Sequence, residues 1–265
     1  MPTTASRAPA RWRPATVHRR LDHLVQSDPR AAIVEATQLL RSMPDEPELQ
    51  LHVWAAIGRS LYELGDMHGA PDAMRHALRA GASSTQDERL AAVRLSAAIV
   101  FAEVGQLGEA LEQLDAAERL STGAMLGRVH TQRALILCHA GRLVEALAQA
   151  NLAEVDFRRS GDRLGQLRLL VNRSLIKLQL GQLGAAEAEL HRAHRLALRL
   201  DQAITVGLVT ANLGVVHARG GRTLTALEHD AFHARIWGGL HFRDAMDDGY
   251  YLGHTTADRV MKVLH

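Results

Sequence analysis

His229 and His233, with Glu228 and Asp230 beside them, are the residues in this chain best placed by type and spacing to hold a metal. Two imidazoles four apart share one helix face and can bind zinc. No motif supplies a third or fourth ligand, the Glu does not stand as in HExxH, and 15 His make such a pair an accident of composition. Cys138 and His139 raise a nucleophile and its base. Neighbours on a helix point about 100° apart, so these two cannot easily share a proton, and Cys138 reads as a small core residue. There is no P-loop and no GxGxxG, and Asp247 and Asp248 have no opposing carboxylate. The chain therefore reads as a non-enzyme with no catalytic residue, no metal and no cofactor.

Binding chemistry is better represented. Gln132, Asn172 and Asn212 stand 40 residues apart in one frame. A side-chain amide both donates and accepts, so it can pair with the backbone of an extended peptide whatever its sequence. Leu135, Leu175 and Val215 follow three residues later, and Arg128 and Arg168 share a register four residues earlier. The competing reading is that the amides bond the neighbouring repeat and serve packing alone. Arg192, Arg195 and Arg199, flanked by His191 and His194, form a basic stripe on one helix face. It reads first as a solvated surface and second as a contact for a nucleic-acid backbone.

Composition sets the frame for these groups. Apolar residues make up 47% of the 265, aromatics only 4%, and from Gln50 onward the sole proline is Pro71. Much Ala and Leu with few rings suits closely packed helices and poorly suits a β-sandwich. With 31 basic and 29 acidic residues the net field is weak, so nucleic acid is not the expected partner. A lone Cys138 excludes an internal disulfide and fits a reducing compartment. Neither a signal-peptide core nor an apolar run of membrane-spanning length is present. A cytoplasmic location is expected.

The elements that must position the candidates come from an internal repeat. "GDMHGA" at Gly65 returns as "GQLGEA" at Gly105, "GRLVEA" at Gly141, "GQLGAA" at Gly181 and "GRTLTA" at Gly221, always with Ala five residues after Gly. The spacings are 40, 36, 40 and 40 residues. A helical apolar pattern lies on each side of every glycine. Glycine ends the first helix in a left-handed C-cap. Alanine lies one turn into the second, where the two helices cross too closely for a larger side chain. Ser27 and Ala32 mark a divergent earlier unit, with Asp28 as N-cap and Pro29 at the first helical position.

The stretch Trp54 to Ala77 resembles a tetratricopeptide repeat, through Trp54, Ile57, Gly58, Leu61, Gly65, Ala70, Met74 and Ala77. Leu213, Gly214, Gly221 and Ala226 match again, whereas the middle units replace the usual Leu-Gly pair by Ala97-Ala98, Arg133-Ala134 and Arg173-Ser174. The period exceeds the family's usual 34. It is similar to the long-period bacterial arrays of peptide-sensing regulators and of CHAT-type proteases. The resemblance implies that first helices line a concave groove and second helices a convex back. Arg133 and Arg173, standing where the family places Leu, are expected to reach a carboxylate such as Glu145 or Glu187, or to snorkel to the groove.

The expected fold is all-α, an α-solenoid of about six antiparallel hairpins with the right-handed superhelix of the tetratricopeptide class. Residues 1–14 read as a disordered basic arm, 15–236 as the repeat array and 237–265 as a C-terminal cap or tail, or the stub of a longer protein. The expected function is a protein- or peptide-binding scaffold or sensor of a bacterial regulatory system. It would hold an extended segment at Gln132, Asn172, Asn212, Arg128, Arg168, Leu135, Leu175 and Val215. The alternative is a nucleic-acid-associated regulator using the basic arm and the Arg stripe. No membrane contact is expected, and self-association stays open.

Overall fold

Five glycines close five helices in the same way. Gly65, Gly105, Gly141, Gly181 and Gly221 all sit at φ between 73° and 78°. At Gly105 the N–H bonds the Ala102 carbonyl at 3.0 Å, and the next N–H, of Gln106, reaches back to Phe101 at 2.8 Å. That is a Schellman closure. It recurs from Asp66 to Leu61, Arg142 to Leu137, Gln182 to Lys177 and Arg222 to His217. The sequence repeat is thus a repeat of one backbone device.

The computed structural model describes residues 14–42, 46–83 and 87–222. Among them are α1 (Pro14–Ser27), α2 (Pro29–Ser42), α3 (Pro47–Glu63), α4 (Gly69–Ala80), α5 (Asp87–Glu103) and α6 (Leu107–Arg119). They are followed by α7 (Gly123–His139), α8 (Leu143–Ser160), α9 (Arg163–Gln179), α10 (Leu183–Arg199) and α11 (Ala203–Arg219). No strand occurs among the described residues. The fold is all-α and of the helical-repeat class, as the periodicity requires. The basic arm up to residue 13, the expected second helix after Gly221, His229, His233 and the 237–265 tail lie outside the described residues.

The chain divides into two compact units, with the boundary between Ile136 and Leu137. In the first, α1 pairs with α2, α3 with α4 and α5 with α6. Asp28 caps α2 by accepting the Ala31 N–H at 3.0 Å, the expected role for an acid before Pro29. One core joins Val17, Leu21 and Val25 to Ala32, Ala36, Leu39, Val53 and Ile57. Another joins Met74 and Phe101 to Ala110, Leu114, Ala117 and Val129. Gly58 lies where α3 meets α4, since a Cβ there would stand 3.1 Å from Met74.

In the second unit α9 packs on α8 and α10, and α10 on α11. Leu167, Leu170 and Val171 meet Ala186, Leu190, Ala193, Val209 and Leu213. Asp162 caps α9 by accepting the Gly165 N–H at 2.8 Å. The described alanines five residues after repeat glycines, Ala70, Ala110, Ala146 and Ala186, have no exposed surface. These are the crossing positions that the sequence marks.

Candidate functional site

Asn172 lies in the third turn of α9 and Asn212 at the matching point of α11, both in the second unit. Each is partly exposed, and neither side-chain amide is hydrogen-bonded within the described residues. Leu175 and Val215, one turn on, are half-buried, and Arg168, one turn back, is exposed. Together they give α9 and α11 a face with free amide groups beside accessible apolar surface. In the first unit Gln132 and Leu135 are half-buried and Arg128 is exposed on α7. The Gln132 amide likewise has no hydrogen bond among the described residues.

The two arginines standing in place of Leu do find carboxylates, but not those the sequence proposed. Arg133 pairs with Asp115 and with Glu118, the latter at 2.7 Å. Arg173 donates to Glu154 at 2.6 Å and pairs with Glu189 at 2.9 Å. Glu145 instead holds Arg142, and Glu187 holds Arg222. On α10, Glu187 and Glu189 differ by about 200° of helix rotation, and only Glu189 turns toward α9. Burial works to raise the Glu154 carboxyl, yet the Arg173 hydrogen bond and the charges of Arg173, Arg158 and Arg192 hold it below the usual carboxylate range.

Cys138 is buried while His139 is exposed, so they do not form a catalytic pair. Burial pushes the Cys138 thiol up, away from the reactive thiolate, and its Sγ donates to Gln179 Oε1 at 3.3 Å. Among the described residues no group of three or more His, Cys, Asp or Glu could hold a metal ion. No described helix is long and apolar enough to cross a membrane.

A feature that the single-helix stripe did not reveal is a cleft in the second unit between α8, α9 and α10. Six guanidiniums line it, those of Arg158, Arg163, Arg173, Arg192, Arg195 and Arg199, against the one carboxylate of Glu154. Its volume is about 250 Å³. Arg192, Arg195 and Arg199 come from the stripe; Arg158, Arg163 and Arg173 come from helices whose alignment with it no spacing in the sequence discloses.

No protein-family model and no curated protein matches the sequence. Solved structures do match. BtubC from P. vanneervenii is 17% identical, with 84% of this chain and 94% of that one covered at a TM-score of 0.64. A Rap protein complexed with Competence and Sporulation Factor is 14% identical, with 85% and 66% covered at 0.66. A tetratricopeptide repeat protein from Parabacteroides merdae is 13% identical, with 90% and 83% covered at 0.61. With paired helices, left-handed glycine caps and alanine crossings in common register, this chain has the tetratricopeptide-like repeat fold.

Proposed function

We propose that the chain is a non-enzymatic, cytoplasmic binding protein of a bacterial regulatory system that holds an extended peptide segment of its partner. The observation that carries this reading is the pair Asn172 and Asn212. They occupy one position in successive first helices, are within reach of solvent, and have no hydrogen bond to the chain's described residues. Peptide backbone offers the donors and acceptors such amides lack. Leu175 and Val215 would accept side chains and supply most of the affinity by burial, and Arg168 would meet acidic groups at the rim. Gln132, with Leu135 and Arg128, offers the same chemistry on α7. The Rap protein of like fold, complexed with Competence and Sporulation Factor, is a precedent for the fold holding a factor.

The test begins with selection of ten-residue peptides from a display library on the intact protein. Dissociation constants are then compared between the wild type and Asn172→Ala/Asn212→Ala. Each lost neutral hydrogen bond is worth about 0.5–1.5 kcal/mol net, so binding should weaken roughly 5- to 150-fold with the melting temperature nearly unchanged. A destabilised double variant that binds its peptides normally would return the amides to packing.

A further inference from the structure

We infer that the cleft between α8, α9 and α10 is a binding site for an oligophosphate group, either free or as the end of a phosphorylated metabolite. It is separate from the amide-bearing face. Gln166, Leu169, Leu170 and Arg173 line the cleft from α9, and helix geometry places them on the side opposite Arg168, Asn172 and Leu175.

The charge balance of the cleft is the first support. Glu154 is shared by Arg158 at 2.7 Å, Arg173 at 2.6 Å and Arg192 at 3.6 Å. Glu189, behind Arg173, is shared with Lys177 at 2.7 Å and Arg192 at 3.7 Å. Arg163, Arg195 and Arg199 have no ion-pair partner among the described residues. Three unneutralised guanidiniums from two helices therefore converge on a space that already holds more cations than its carboxylates can offset. All three are exposed, so water and salt screen part of their mutual repulsion, and an anion of several charges seated among them would offset the rest.

The second support is chemical type and size. All the cations lining the cleft are arginine. The planar fork matches phosphoryl oxygens bidentately and stays charged at any working pH. A carboxylate brings a single charge per group, whereas a di- or triphosphate concentrates two to four in the same space. At about 250 Å³ the cleft falls just below the usual small-ligand range, enough for a short phosphate chain and too little for a helix or a duplex. Leu169, Leu170 and Leu196 form a buried floor. Apolar surroundings weaken screening and so strengthen the pull on the anion. The ion pairs of Glu154 hold Arg158, Arg173 and Arg192 in place beforehand.

The experiment is titration calorimetry on the full chain with inorganic tripolyphosphate, a nucleoside triphosphate and citrate as probes. One tripolyphosphate or nucleoside triphosphate should bind per chain, with citrate at least tenfold weaker. Arg195→Ala/Arg199→Ala should weaken triphosphate binding at least tenfold, and Arg30→Ala, exposed on α2, should leave it unchanged. Tighter binding of the nucleoside triphosphate assigns the site to a phosphorylated metabolite, and equal or weaker binding to free oligophosphate. If the double variant does not fold, Arg163→Ala on α9 tests the same cleft from another helix. No binding, equal binding of citrate, or equal loss in Arg30→Ala would overturn the inference. So would a short DNA duplex that binds these arginines more tightly than tripolyphosphate.

Discussion

Arg173 and Glu189 form an ion pair at 2.9 Å with side chains only 4% and 5% exposed. Removing one member of a buried pair leaves an uncompensated charge and typically costs about 3–5 kcal/mol, whereas replacing both by apolar residues is often near neutral. Glu189→Ala should therefore destabilise by about 3 kcal/mol in a denaturant titration. Arg173→Leu/Glu189→Leu should be closer to wild type than the single variant. A double variant worse than Glu189→Ala would mean that the pair stabilises through more than mutual charge compensation.

His52 predicts a pH dependence. Its ring is buried, has no hydrogen-bond partner at either nitrogen among the described residues, and lies 4.6 Å from His18 between ring centroids. Burial, reinforced by His18 and Arg89 against the carboxylates Glu48 and Asp22, lowers its pKa from 6.5 to about 4. The unfolded chain takes up the proton near 6.5 and the folded chain only near 4, so stability is full above that window and falls as the pH drops through it. The loss should reach roughly 2–3 kcal/mol by the lower end. His52→Leu should flatten the difference in stability between pH 7 and pH 4; an unchanged slope would show that other groups set it.

The helix crossings predict a steric response. Ala110 and Ala186 have no exposed surface, so Leu at either should destabilise by about 1–3 kcal/mol through overpacking. Melting temperatures of the two variants check this, and unchanged values would remove both alanines from the crossings.

At Gly141 the response should come from the backbone alone. A Cβ there meets nothing within 4 Å, but φ is +75°. Gly141→Ala should cost about 1–2 kcal/mol, and Gly141→Asn less, because Asn tolerates this conformation better. Equal losses in the two would point to a contact rather than to conformation.

What was legible in the sequence was whatever is decided within a few residues. Gly105 ends α5 and Ala110 marks its crossing with α6, both through local backbone geometry and size, so the period alone located them. The partners of Arg173 were not legible. Choosing Glu154 and Glu189 over Glu187 depends on how three helices are rotated against one another, which no single-helix pattern encodes. The cleft failed to appear for the same reason. Arg192, Arg195 and Arg199 are exposed, as a solvated stripe would be, and only the fold shows Arg158 and Arg163 across the cleft from them. Asn172 and Asn212 were found by register, yet their lack of a partner among the described residues emerged only from the folded arrangement.

The recurring glycine closures also bear on how fast this chain acquires its structure. Each is completed by hydrogen bonds spanning no more than six residues, and those at Gly65, Gly105 and Gly181 bring the following helix back onto the one just formed. The search for a partner helix is thereby reduced to closing a very short loop, whose entropic penalty is small. The pairs α3–α4, α5–α6 and α9–α10 should therefore form early and separately, as local contacts do in fast-folding helical proteins, on a microsecond-to-millisecond scale. A substitution that opens one closure should slow the hairpin it serves and leave the rates of the others as they were.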